Sequence, residues 1–246
     1  MPGTNWDIFH GGTAIKLLDD TACTDLVQRL LTLSDSWQER HTLNDQIHSF
    51  HTLGAATYLD TDETYGPVAA AANPLLRDSF GDLLDHVGNA IAERTGHPTQ
   101  LSEDLALPGF HIFRGDQRAP PGLMYGGTIH VDRPHDRHKF PFIIEGTLSL
   151  TLPIRIPACG AGMFHWTDVP AAMMTGPKAP YTMPPELRDW YDTHKQFIGY
   201  TAGAMVLHDG LTVHQLANPG RTQDDEYRIS LQGHGVLGDG AWHLFF

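Results

Sequence analysis

Three short words in the chain carry metal-ligating and anion-binding side chains at telling spacings: His130-Val-Asp132, then His214, then Arg228-Ile-Ser230. Two imidazoles and one carboxylate can occupy one face of an octahedral ion and leave the opposite face open, a donor set that suits Fe(II). His130 and Asp132 stand two residues apart, so on an extended strand both side chains leave the same face. Arg228 and Ser230 repeat that spacing, and a guanidinium with a hydroxyl can grip one carboxylate. Alone, His-x-Asp is a common word, and a turn in which Asp132 caps a backbone N–H explains it equally well. The three words in this order point to a metal site with a carboxylate-holding arm.

The elements that must position these residues change character along the chain. Beyond about residue 105 the sequence breaks into short β-type runs separated by Gly and Pro: 106–114, 127–132, 142–156, 162–166, 196–200, 204–207 and 226–231. That pattern predicts an antiparallel sandwich or barrel. Residues 203–214 read as an apolar strand, a turn at Asp209-Gly210, and then His214. The loop 217–225, with its Asn218-Pro-Gly220 turn, predicts a hairpin that brings Arg228 and Ser230 back to face the same cavity as His214. A short helix is expected over 184–194, and the proline-rich segment 167–185 reads as an ordered loop or lid.

The first hundred residues read as helical and irregular. Asp20 and Thr21 can cap a helix whose apolar side carries Leu26, Val27, Leu30, Leu31 and Leu33. A second helix is predicted to open at Asn73-Pro74, bury Leu76, Phe80, Leu83, Leu84, Val87 and Ile91, and stop at Gly96. The length of 246 residues fits one domain, with 1–104 as support, 105–235 as a β core and 236–246 as a C-terminal tail.

Composition sets outer bounds. Hydrophobic residues make up 41%, enough for a sizeable core. Sixteen basic against 29 acidic residues give a formal charge of −13, which argues against nucleic acid or an anionic membrane surface as partner. The two cysteines, Cys23 and Cys159, make neither a disulfide framework nor a zinc ribbon. No apolar run reaches membrane-spanning length and the N-terminus lacks a secretory pattern, so the cytoplasm is the expected compartment. Oligomeric state is not legible.

The three words together resemble the Fe(II)/2-oxoglutarate-dependent dioxygenase superfamily, in particular its bacterial small-molecule and peptide hydroxylases. Its double-stranded β-helix, a jelly-roll or cupin-like core, carries a His-x-Asp…His triad followed by an Arg-x-Ser element. The resemblance covers roughly residues 105–235 and takes in Leu148-Ser-Leu-Thr-Leu-Pro-Ile154 and Gly160-Ala-Gly162-Met-Phe-His-Trp166. It implies that His130, Asp132 and His214 hold Fe(II), that Arg228 and Ser230 bind 2-oxoglutarate, and that O2 is the co-substrate. The implied reaction oxidises an unactivated C–H bond of a small molecule, amino acid or peptide side chain, releasing succinate and CO2. It also implies mainly β structure with the N-terminal helices packed outside, and no side-chain acid or base. Related halogenases replace the triad carboxylate with a small residue; Asp132 is present, which implies hydroxylation or desaturation.

Other residues compete for these roles. His208 is a rival to His214, and Arg221 to Arg228. His111, Arg114 and His234 are possible cavity residues, the last at a strand end, while His135 and His138 read as solvated loop. Substrate cover is expected from residues 50–58, the strip after Asp132 and the proline-rich loop, with Trp166, Tyr181 and Trp190 as aromatic walls. A different class also fits in part. His214-x3-Asn218 after Gly203 resembles the second half of a cupin motif and would make a metal enzyme without 2-oxoglutarate, but cupins carry His-x-His where this chain has His-Val-Asp. A β shell without metal is the third class.

Overall fold

The computed structural model describes residues 11–41, 49–102, 104–115, 129–167, 169, 188–217 and 225–246. Twelve strands and three α-helices follow in the order β1 Thr13–Lys16, α1 Asp20–Leu31, β2 Gln38–His41, β3 Ser49–Leu53, α2 Asp62–Thr95, β4 Thr99–Leu101, β5 Gly109–Arg114, β6 Gly146–Arg155, β7 Gly162–Trp166, α3 Arg188–His194, β8 Gln196–Gly199, β9 Ala204–His208, β10 Val213–Ala217, β11 Tyr227–Gly238 and β12 Ala241–Phe245. The described chain is thus mostly β with few helices, as the sequence predicted.

Nine strands form one sheet in the order β1-β9-β6-β11-β5-β3-β2, with β12 paired to β11 and β4. Three more form a small sheet, β10-β7-β8. Four strands of the large sheet come from the first 101 residues, which the sequence reading had taken as helical and irregular. They are three to five residues long, too short for alternation to stand out. The expected tail over 236–246 is also sheet: it completes β11 and forms β12, in register from His234↔Phe245 to Gly238↔Ala241.

Both helices are displaced from their predicted starts. Asp19, not Asp20 or Thr21, caps α1: its backbone is extended, and its carboxylate accepts from Ala22 N at 2.8 Å. α2 begins eleven residues before Asn73, at a Thr61/Thr64 pair in which Thr61 N donates to Thr64 Oγ1 at 2.9 Å. Pro67 and Pro74 both lie inside it. Asn73 clamps the approach to β5 instead of capping, donating to Leu105 O at 2.9 Å and accepting from Leu107 N at 3.0 Å. The predicted stop holds, since Gly96 takes the left-handed conformation at φ 75°. The predicted stripe from Leu76 to Ile91 is buried throughout.

The large sheet has two unlike faces. One carries Phe110, Ile112, Leu148, Leu150, Leu152, Met205, Leu207, Ile229, Leu231 and Leu237, packed with the apolar sides of α1 and α2 in one core. The other carries Thr52, His111, Ser149, His208, Ser230 and His234, all buried and all polar. A buried apolar face is core; a buried face of hydrogen-bonding groups costs free energy unless it meets partners or a ligand.

Candidate metal centre

His130 and Asp132 sit on a segment joined to the small sheet by a single antiparallel bridge. His130 N donates to His214 O at 2.9 Å, and His214 N donates to His130 O at 2.8 Å. The strand predicted over 127–132 is therefore reduced, among described residues, to one bridge. Asp132 N turns aside to Gly210 O at 2.7 Å, and Pro134 then opens a 3-10 turn over Pro134–Arg137. The approach is close at Gly210, where a Cβ would stand 3.1 Å from Asp132 O.

The bridge brings three donors together. Asp132 Oδ1 lies 3.6 Å from His130 Nε2, and Oδ2 lies 3.6 Å from His214 Nε2. Ligand atoms of the three residues all fall within 4.8 Å of one another. These gaps are too long for hydrogen bonds and wider than the roughly 3 Å edges of an octahedral set around a 2.0–2.2 Å ion, so the donors would draw together on an ion. His214 Nδ1 lies 2.9 Å from Thr212 O. A carbonyl only accepts, so Nδ1 bears the proton and Nε2 presents its lone pair toward Asp132.

Burial sets the charge states. Desolvation pushes His214 down to about 3 against the pull of Asp132, so the imidazole is neutral near pH 7. Burial alone would raise the Asp132 carboxyl, but the imidazoles of His214, His234, His130 and His208 outweigh it and hold it below the usual carboxylate range. A neutral imidazole beside an ionised carboxylate is the ligand-ready form.

Arg228 lies on β11, in the other sheet from His214. The fourteen-residue offset is thus a crossing between sheets and not the predicted hairpin. The Tyr200 hydroxyl lies in the field of both Arg228 and Asp132. The Arg228 guanidinium lies over Phe113 at 5.6 Å and Tyr200 at 5.8 Å. Its Nη2 is buried with no hydrogen-bond partner, and no carboxylate among the described residues pairs with it. Burial pushes its pKa down, with Tyr200 and Cys159 acting in the opposite sense. The half-buried Arg40 differs: Asp60 neutralises it at 2.6 Å. Two residues on, buried Ser230 accepts from Gln232 Nε2 at 3.2 Å. An orphaned guanidinium beside a hydroxyl fits an anionic group such as a carboxylate.

The rivals fall into place. His208 ends β9, and its ring lies 4.6 Å from that of His214, beside the three-donor cluster and outside it. His111 is buried among Phe50, Phe113 and Phe246, with Tyr58 Oη 3.1 Å from its Nε2. Burial pushes His111 down to about 3. Arg114 is exposed. His135 and His138 are half-buried and not solvated loop; His138 Nε2 lies 3.1 Å from Thr57 Oγ1 and packs on Tyr65. Trp166 donates to Tyr191 O at 2.9 Å and Trp190 stacks on His194, both as packing. Arg221, Asn218 and Tyr181, with most of the proline-rich loop, lie outside the described residues.

Phe113, Tyr200 and Gln232 lie at Arg228 and Ser230 without having been among the expected site residues, and His234 is not where it was expected. β11 runs on to Gly238, so His234 is a buried mid-strand residue and not a strand end. The alternation Arg228-x-Ser230-x-Gln232-x-His234 carried that signal.

No family model and no curated protein matches the chain in sequence. Solved structures match it in fold. A novel N-substituted L-amino acid dioxygenase from Burkholderia ambifaria AMMD, in complex with alpha-ketoglutarate, is 12% identical with a TM-score of 0.54, over 96% of this chain and 86% of that one. The non-haem alpha-ketoglutarate-dependent epimerase SnoN from nogalamycin biosynthesis is 15% identical with a TM-score of 0.57, over 95% and 83%. The carbocyclase SnoK of the same biosynthesis is 13% identical with a TM-score of 0.51, over 99% and 95%. In fold, this chain is similar to non-haem oxygenases that depend on alpha-ketoglutarate (2-oxoglutarate).

Proposed function

We propose that the chain is an Fe(II)- and 2-oxoglutarate-dependent oxygenase that hydroxylates an unactivated C–H bond of a small molecule, amino acid or peptide side chain. One conjunction supports this reading: two imidazoles and one carboxylate form a cluster, Arg228 has a buried, unpartnered Nη2 and no carboxylate among the described residues, and the Tyr200 hydroxyl feels both Arg228 and Asp132. His130, Asp132 and His214 are the metal ligands in this reading. Arg228 and Ser230 take the distal carboxylate of 2-oxoglutarate, and the sheets form a double-stranded β-helix within one domain. When bound, the iron and the 2-oxo acid supply oxidative decarboxylation to succinate and CO2, coupled to oxidation of the substrate C–H by O2.

The chain itself positions and dries the site. Thr212 fixes the His214 tautomer, so the imidazole meets the ion without shedding a proton. Phe113 and Tyr200 keep water from Arg228, which strengthens its hold on a carboxylate. The intact Asp132 favours hydroxylation over halogenation. Similar folds serve an amino-acid dioxygenase and enzymes of nogalamycin biosynthesis, which supports a small-molecule substrate; the charge of −13 disfavours nucleic acid.

The test is succinate formation from 2-oxoglutarate under air. It should require added Fe(II) and cease in Asp132→Ala. Unchanged turnover in that variant would remove Asp132 from the ligand set. Metal-dependent turnover indifferent to 2-oxoglutarate would favour the cupin-like alternative.

A further inference from the structure

The roles assigned so far leave one set of buried groups unused. His234 on β11 pairs in register with Ser149 on β6, and Ser149 pairs with His208 on β9. The three side chains therefore form one row across three adjacent strands, on the polar face of the large sheet. They are 7%, 3% and 3% exposed. The row is beside the metal cluster, since the His208 ring lies 4.6 Å from the His214 ring and both row histidines act on the Asp132 carboxyl.

Each imidazole in the row is anchored through Nδ1. His208 Nδ1 lies 2.9 Å from Asp209 O, so it bears the proton and Nε2 is an acceptor. His234 Nδ1 lies 3.1 Å from Ser149 Oγ. The serine can donate or accept there, so His234 Nε2 can present either a donor or an acceptor. Neither Nε2 has a partner among the described residues. The rings of Phe245 and Phe246 lie 6.2 and 5.6 Å from His234, giving the row an apolar border.

Nearby carboxylates are already engaged. Asp132 belongs to the metal cluster, Arg40 holds Asp60, and Asp209 accepts from Thr147 Oγ1 at 2.7 Å and Leu211 N at 3.0 Å. The row itself thus offers ring nitrogens and a hydroxyl, and no carboxylate of its own to pair with an ammonium group.

We propose that the His234–Ser149–His208 row is a substrate-recognition site for an uncharged polar group, a carboxamide or hydroxyl, on an otherwise apolar small molecule. This deepens the proposed function and rests on it. One acceptor on His208 and one adaptable nitrogen on His234 match the two sides of a carboxamide. An amine, protonated near pH 7, would find no carboxylate within the row to pair with.

The experiment uses full-length, Zn(II)-loaded protein with 15N-labelled histidine, observed by long-range proton–nitrogen NMR. His208→Phe and His234→Phe assign the two rings. Acetamide and n-butylammonium are added separately as probes. Acetamide should move the Nε2 resonances of His208 and His234 while n-butylammonium leaves them in place, and the His208 pattern should be that of the Nδ1–H tautomer. Ser149→Ala should free the His234 tautomer and abolish its acetamide shift while His208 still responds. The proposal is overturned if both probes move the row, if neither does, or if only n-butylammonium does. Calorimetric titration of 2-oxoglutarate into the same protein separates the two readings. Failure to bind 2-oxoglutarate sinks the oxygenase assignment, whereas an unselective row with intact 2-oxoglutarate binding sinks only the recognition site.

Discussion

A guanidinium nitrogen buried without a partner is costly, and Arg228 Nη2 is in that condition among the described residues. Its cost is recovered when an anion arrives, so Arg228→Ala should weaken 2-oxoglutarate binding by about 2–5 kcal/mol. Calorimetry on the metal-loaded protein reads that loss directly. Arg228→Lys keeps the charge but not the planar fork and should recover only part of the affinity. An affinity unchanged in Arg228→Ala would move the arm elsewhere, with Arg221 the first residue to try. The ligand-like residues were legible in the sequence because two of the three words pair chemically specific side chains at a spacing of two and His214 stands between them in order. Phe113 and Tyr200 were not, because one reaches Arg228 from the neighbouring strand β5 and the other from the residue after β8, and neither shares a local pattern with it. Strand register, which sequence spacing does not encode, makes Phe113 a neighbour.

Elements fix where those residues point. Gly203 sits just before β9 at φ 75°, and its N–H donates to Pro153 O at 2.8 Å. A Cβ there would come within 2.2 Å of Leu18 O. Gly203→Ala should therefore destabilise the protein by at least about 1–3 kcal/mol in denaturant unfolding, and a neutral substitution would contradict this packing of the β1–α1 connection on β9. Phe80 is the one residue of α2 with non-helical angles, and its ring packs on Phe110 with centroids 4.6 Å apart. Phe80→Ala should cost about 3–5 kcal/mol while leaving metal affinity in the folded fraction unchanged. The α2 stripe and its Gly96 stop were readable from period and glycine chemistry. Its start was not, because Asn73-Pro74 mimics a helix opening although the Asn73 amide is spent on Leu105 and Leu107. The short N-terminal strands were illegible for a related reason: their partners are distant in sequence, as in Thr13↔Leu207 and His51↔Ile112.

At the scale of the whole molecule, one face of the large sheet packs as core and the other carries a set of buried polar groups. Burying neutral histidines on the second face has a consequence in acid. His111 titrates near 3 and His234 near 4 in the folded state, against an ordinary 6.5 in the unfolded chain. Between those limits the unfolded state binds more protons, so stability falls as pH drops from about 6.5 toward 4, with each such histidine contributing about 1.4 kcal/mol per pH unit. Asp132 acts at lower pH, where its depressed carboxyl contributes stability that is lost only as pH falls below the ordinary carboxylate range. Urea unfolding of the metal-free protein across this range should show the decline, and His111→Phe should make it shallower. A flat profile would mean that these rings are not buried as neutral groups. The central claim, that one cavity holds both the metal and a 2-oxo acid, is tested most directly by anaerobic titration of metal-free protein with Fe(II) and then 2-oxoglutarate. The account predicts a weak visible charge-transfer band from the chelated 2-oxo acid, absent in His214→Ala and reached in Arg228→Ala only at large excess of 2-oxoglutarate. Bound iron with no band on saturation by 2-oxoglutarate would contradict it.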